Sequence, residues 1–374
     1  MHSAHLFGIQ HVSVTLIYVI LPPGISFYTF QEVAYIVDVY QRKLKATDSL
    51  IEYALFISLF PHLIAGPIQR PAHLLPQVQH QRRFDGNQFF DGILLILQGL
   101  FRKCVIADNC ALLANSAFAG HMGHNFFAVL IGTYAFAWQI YGDFSGYSDI
   151  ARGAAQLLGF HFMVNFRQPY LATTLQDFWR RWHISLSTWL RDYLYIPLGG
   201  NHCGERKTYR NLLLTMLLGG LWHGANWTFV IWGAIHGAYL AAERYVHKLH
   251  GWANPKKDAP VRSWISVWLK RMMLFQLVCL AWVFFRAPSL RAGVYFLSGL
   301  ADVRWRPEYL AASEFLALFS VPLFLMDLLL EHSGEEYIFQ LRSPVFRTAV
   351  AMAITVAIAL FSGNQANAFI YFQF

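Results

Sequence analysis

Residues 173–227 read TTLQDFWRRWHISLSTWLRDYLYIPLGGNHCGERKTYRNLLLTMLLGGLWHGANW. Two patterns meet in this stretch, and together they set the fold class. At 100° per residue, Arg180, His183, Ser187 and Arg191 fall within about 80° of one another, while Phe178, Trp182, Leu186, Trp189 and Tyr193 gather on the opposite side. That spacing predicts one amphipathic helix. Thr173 and Thr174, followed by Gln176 and Asp177, supply its start, and Pro197, Gly199 and Gly200 its end. His183 then sits at the border between a cationic face and an aromatic one.

The second pattern is an absence of charge. From Asn211 to Ala242 there is no Asp, Glu, Lys or Arg, a run well beyond the roughly 20 residues that one helical membrane span needs. It must hold two segments, and the break is expected at His223. Gly219, Gly220, Gly224 and Asn226 around that histidine suit a helix end or bend inside a bundle. An ionisable group in such surroundings is costly, which makes it a functional candidate.

Working outward, the whole chain has the same character. Of its 374 residues 56% are hydrophobic and only 13% charged, with a mean hydropathy of +0.36, against roughly 25% charged in an ordinary soluble domain. The expected class is an all-α, polytopic membrane bundle with broken and re-entrant helices, and the length leaves room for about eight to ten hydrophobic segments. The net charge of +8 is spread over short connectors between apolar runs, which points to membrane topology and anionic lipid rather than to nucleic acid. Four cysteines without C-x-x-C spacing imply neither a disulfide framework nor a zinc site. The N-terminus lacks the basic n-region and cleavage site of a secretory signal.

Taken in order, residues 12–40 are an apolar segment broken at Pro22, Pro23 and Gly24, with Glu32 expected inside the bundle and Asp38 at a solvated helix end. Residues 50–69 are interrupted at Pro61, Gly66 and Pro67, and a basic connector with Arg70, Arg82 and Arg83 follows. Residues 88–107 read as an amphipathic helix with Arg102 and Lys103 near its end. Residues 126–160 are apolar with an interruption expected from Gly142 to Gly146. His121, His124, Asp143 and Asp149 offer metal-ligand types, but no third ligand follows the histidine pair at a recognisable offset, and no metal site is predicted. Ser145 in GDFSG lacks the strand-turn setting of a nucleophile elbow. A helix over 226–246 carries His236 between Gly233 and Gly237, a polar basic loop spans 247–263, and apolar segments at 264–286, 290–300, 312–331 and 345–362 close the chain.

Two histidines at the bundle interior beside arginines suit proton transfer on a substrate with anionic parts. Desolvation keeps an imidazole neutral, the form that takes a proton from a hydroxyl. Arg180, Arg181 and Arg191, with Arg206, Lys207 and Arg210, are placed to attract phosphates or a pantetheine-linked acyl donor, and Asn226 joins the donor-contact candidates. Spacing alone is equally compatible with tryptophan-flanked histidines that anchor a helix at the interface and with arginines that set topology.

DFWRRWHISLSTWLRDYLYIPLGGN followed by LWHGANWTFVIWG closely resembles the membrane-bound O-acyltransferase family. The branch it looks like is the alginate O-acetylase one, similar to the membrane protein that passes D-alanine to teichoic acids; PPGISFYTFQ, FPHLIAGPIQRP, YGDFSGYSD and the terminal FIYFQF carry the likeness along nearly all the chain. The resemblance implies a helical bundle around a central funnel, with His223 as active-site base and His183 as a second residue lining the same funnel. It implies acetyl-CoA or an acylated carrier as donor substrate with no bound cofactor, an extracytoplasmic partner of the SGNH type, an exported polysaccharide as acceptor, and a multi-pass place in the inner membrane. Relatives carry further segments ahead of the PPGISF motif, so residues 1–374 are expected to be one domain lacking N-terminal segments usual in the family. The rival classes are a transporter or channel, in which the histidines relay protons, and a non-catalytic scaffold of a polysaccharide export complex.

Overall fold

The computed structural model describes residues 24–64, 66–249, 264–340 and 343–362. Among them there is no strand. Fourteen α-helices follow one another: α1 Ile25–Tyr40, α2 Leu50–Ser58, α3 Pro71–Gln79, α4 Gly86–Leu100, α5 Asp108–Phe118, α6 Phe126–Leu157, α7 Leu175–Arg181, α8 Ile184–Leu190, α9 Glu205–His223, α10 Trp227–Leu249, α11 Trp264–Arg286, α12 Leu290–Ser298, α13 Glu308–Ser333 and α14 Pro344–Phe361. Among the described residues α11, α13 and α14 are long and apolar enough to cross a membrane. The chain is an all-α membrane protein. The break at Pro22 and Pro23, most of the basic loop at 247–263 and the terminal FIYFQF lie outside the described residues.

The axis of the bundle is α6. It runs 32 residues without the interruption that Gly142 and Gly146 suggest, and most of its residues are buried. Those glycines serve packing instead of bending. A methyl group at Gly146 would stand 2.7 Å from the Gly99 carbonyl oxygen and one at Gly153 2.5 Å from that of Gly92, so antiparallel α4 and α6 meet backbone to backbone at two levels, two helical turns apart. A π-helical turn, Phe101–Ala107, links α4 to α5 and carries Arg102 and Lys103. Both are drawn toward α6 rather than left at an interface: Arg102 pairs with Asp149 at 3.0 Å and Lys103 with Asp143 at 2.9 Å. A buried charge is tolerated when paired and hydrogen-bonded, and Gln98 adds a bond to Asp149 at 2.8 Å. On α1 Asp38, expected at a solvated helix end, is instead buried and accepts from the Tyr193 hydroxyl at 2.9 Å, while Glu32 is half-buried.

The stretch 173–227 is broken twice. The break at His223 is where the charge-free run placed it, with Asn226 capping α10 through the Thr228 N–H at 3.1 Å. The other was not expected. The single amphipathic helix predicted from Thr173 onward begins correctly, since Thr174 accepts from the Asp177 N–H at 3.1 Å, but it stops at Arg181 and restarts as α8 at Ile184. The cause is residues 165–167, which take up main-chain groups that a continuous helix would use internally. The Asn165 carbonyl accepts from the Ile184 N–H at 2.9 Å, and the Arg167 N–H donates to the Arg181 carbonyl at 2.9 Å. A π-helical turn, Arg191–Tyr195, then follows α8.

Candidate active site

His183 stands in the gap between α7 and α8 with φ +42° and ψ +55°. That left-handed conformation costs a residue with a β-carbon about 1–2 kcal/mol, and such strain persists only where the surroundings over-determine it. Asn165 supplies the hold. Its Oδ1 accepts from the Ser185 N–H at 3.2 Å and from the Ser185 hydroxyl at 2.9 Å, and it lies 3.2 Å from His183 Nδ1. The Ser185 N–H can only donate, so it fixes which end of the Asn165 amide faces the ring; Nδ2 turns the other way, to Ser148 Oγ at 3.1 Å. An amide oxygen can only accept. His183 Nδ1 therefore carries the proton, and Nε2, buried and without a hydrogen-bond partner, keeps its lone pair. Ser185 is itself anchored by the Ile68 N–H at 3.0 Å, which ties the break in 173–227 to the segment after α2.

His223 is the last residue of α9. Its ring is walled by Trp222, Phe285 and Trp232 at centroid distances of 4.8, 5.0 and 5.1 Å, and Trp222 in turn lies 6.3 Å from the His183 ring. Gly224 makes room, since a methyl group there would come within 2.6 Å of the Phe229 ring. His183 and His223 line one narrow cavity, whose other walls include Trp179, Trp182, Met216, Trp232, Trp282 and Phe285. Its volume is about 10 Å³, space for about one water molecule. The two histidines, far apart in sequence, are thus brought together by the broken helices.

The four donor-contact candidates are not part of that cavity. Arg180 is exposed on α7. Arg181 is held by Asp177 at 2.9 Å and by Glu331 of α13 at 2.6 Å. Arg191 is exposed and pairs with Asp192 at 2.7 Å, and Asn226, besides capping α10, donates to the Pro288 carbonyl at 3.2 Å. Nor are the residues with metal-ligand types gathered: Asp143 and Asp149 have their cationic partners, while His124 stacks on Tyr295 at 4.3 Å.

Asn165 and Ser185 escaped the sequence reading. Nothing in a non-helical NFRQ segment signals that its asparagine will reach a histidine 18 positions on. His236 is fully buried between Phe178, Trp179 and Trp232.

Residues 40–287 match the sequence model of the membrane-bound O-acyltransferase family. The chain is 48% identical to the probable alginate O-acetylase AlgI of Azotobacter vinelandii over 80% of its own length and 55% of that protein's, and 50% identical to that of Pseudomonas aeruginosa over 76% and 52%. It is 34% identical to the peptidoglycan O-acetyltransferase of Helicobacter pylori over 96% and 75%. The chain spans about half the length of the two alginate O-acetylases.

Proposed function

The chain belongs to the membrane-bound O-acyltransferase family, and from that premise we propose that it transfers an acetyl group from a cytoplasmic thioester to hydroxyls of an exported polysaccharide, as a multi-pass protein of the inner membrane. The observation that carries this reading is the convergence of His183 and His223 on one cavity, with His183 fixed as the Nδ1–H tautomer by Asn165. In the proposed reaction the acceptor oxygen attacks the thioester carbonyl carbon while His223 takes the hydroxyl proton. The tetrahedral species collapses, the C–S bond breaks, and the leaving thiolate takes the proton back from His223, so that ester and thiol are formed. His183, its Nε2 lone pair unengaged, accepts a hydrogen bond from a second hydroxyl of the incoming acceptor and so orients the reacting one toward His223.

The donor is acetyl-CoA or an acylated carrier. Arg180 and Arg191, both exposed, are the proposed contacts for its anionic part; Arg181 and Asn226 have structural duties that account for them. The acceptor is alginate-like, reached directly or through a serine of an extracytoplasmic SGNH-type partner; the names of the relatives support an acetylated wall or matrix polymer. The test is the acetyl ester content of exported polysaccharide in cells lacking their own copy, complemented with this chain or its His223→Ala form. Acetylation restored by the unaltered chain alone is the expected result. Equal restoration by both would remove His223 from the chemistry and leave a scaffold.

A further inference from the structure

The walls of the cavity hold polar atoms that the mechanism above does not use. Trp179 and Trp232 both line it, and the Nε1–H of each is buried without a hydrogen-bond partner. Buried indole N–H groups ordinarily find an acceptor, because leaving a donor unmade in an apolar setting is costly. Trp282 carries a third such N–H on the same cavity, but it lies toward the Tyr170 hydroxyl; the two donors that remain indicate an acceptor that arrives with a ligand. The Trp232 ring stands 5.1 Å from that of His223 at 89°, and 5.8 Å from that of Trp179. No lysine or arginine is among the lining residues. Neutral N–H groups are therefore the donors that the cavity itself can offer to a developing negative charge.

We propose that the indole N–H groups of Trp179 and Trp232 bind the carbonyl oxygen of the acyl thioester and hold it as an oxyanion while the acceptor adds. The assignment rests on the acyltransferase reading and completes its balance. As the acceptor oxygen bonds to the carbonyl carbon, the C=O π pair moves onto oxygen, where the two N–H groups receive it; when the C–S bond breaks, that pair returns to re-form C=O. A carbonyl oxygen has two lone pairs, which matches two donors. Behind them, His236 packs edge-on against both indoles at 5.1 and 4.9 Å, fully buried, and keeps the rings from turning. His236 is a positioning residue in this scheme.

The experiment uses the full chain in detergent, with Trp232→Phe and Trp179→Phe, which keep an aromatic wall and delete one donor each. Steady-state transfer from acetyl-CoA is measured together with binding of acetonyl-CoA, a ketone, and ethyl-CoA, a thioether without the carbonyl. Loss of one oxyanion donor lowers kcat by about 10²–10³-fold in well-studied cases, so a fall of at least about tenfold in kcat with KM within about threefold is expected here. The wild-type chain should bind the ketone more tightly than the thioether, and each variant should lose that preference while still binding the thioether, which reports a folded pocket. A wild type that transfers acetyl, with both variants equal to it in kcat and in preference, overturns the assignment alone and leaves the indoles as N–H to ring contacts. A wild type that neither transfers acetyl nor distinguishes ketone from thioether overturns the acyltransferase reading and this assignment with it.

Discussion

Replacing Asn165 with alanine removes one oxygen that three groups share. His183 Nδ1 lies 3.2 Å from it, the Ser185 N–H 3.2 Å and the Ser185 hydroxyl 2.9 Å. The Ser185 hydroxyl oxygen can accept from His183 Nδ1–H, 3.5 Å away, but the hydroxyl proton and the Ser185 N–H are then two donors without the acceptor they shared. Asn165, His183 and Ser185 are each at most 1% exposed, so water does not replace the lost partner. A stranded buried donor costs about 1–3 kcal/mol, which puts Asn165→Ala at about 2–6 kcal/mol of stability. His183 also loses what holds it in the left-handed conformation and in the Nδ1–H tautomer. General acid–base groups contribute about 10²–10⁴-fold, so acetyl transfer should fall by at least about tenfold even though Asn165 touches no substrate. Asn165→Asp keeps an oxygen in place for the same donors, and the Ser148 hydroxyl can turn to donate to the second oxygen; that variant should retain most of the activity. The assay pairs acetyl ester content of exported polysaccharide with thermal unfolding of the detergent-solubilised protein. An alanine variant that melts and acetylates like the wild type would refute the reasoning, as would aspartate and alanine variants that are equally inactive.

Three further outcomes follow from the packing. Gly146→Val thrusts side chain into the Gly99 carbonyl, which would lie 2.7 Å from the first added carbon, and should destabilise the α4–α6 contact by about 1–3 kcal/mol, seen as reduced protein in membranes by quantitative immunoblot. Asp149→Ala strands the buried Arg102 guanidinium and should cost about 3–5 kcal/mol in unfolding measurements, whereas the double change Arg102→Met with Asp149→Leu should cost less than the single one. Arg181→Gln, which breaks the pairs to Asp177 and Glu331, should lower the melting temperature, while Arg180→Gln, exposed on the next position, should stay within about 0.5 kcal/mol of the parent and, if it contacts donor, raise KM for acetyl-CoA.

A hydrophobic period reports only what recurs along the chain, not what a distant segment does to it. The Thr174 cap, the absence of strands among the described residues and the break at His223 were legible because each is announced locally, by a capping residue, by composition, and by a charge-free run too long for one span. The gap at His183 was not, because the 3.6-residue period runs through it undisturbed. What breaks the helix there is an asparagine on another segment that takes three of the main-chain and ring donors around the gap, and no periodicity in 173–195 records that neighbour. The opposite error arose on α6. Glycine favours breaks in isolation, but at Gly146 and Gly153 the missing side chain lets a second backbone approach, and a helix held along its length stays continuous. Asp38 shows the same limit: its burial depends on Tyr193, a residue on a distant turn.

A cavity with room for about one water has a bearing on wasted turnover. An acetyl thioester is hydrolysed readily by any nucleophilic oxygen beside a base, and a roomy, wet pocket lined by two histidines would spend the donor on water. Here the aromatic walls meet until something forces them apart. In the proposed reaction the free energy for parting them comes from substrate binding, with the acceptor hydroxyl entering as the walls open, so that the proposed base is exposed to oxygen chiefly when the oxygen belongs to the acceptor.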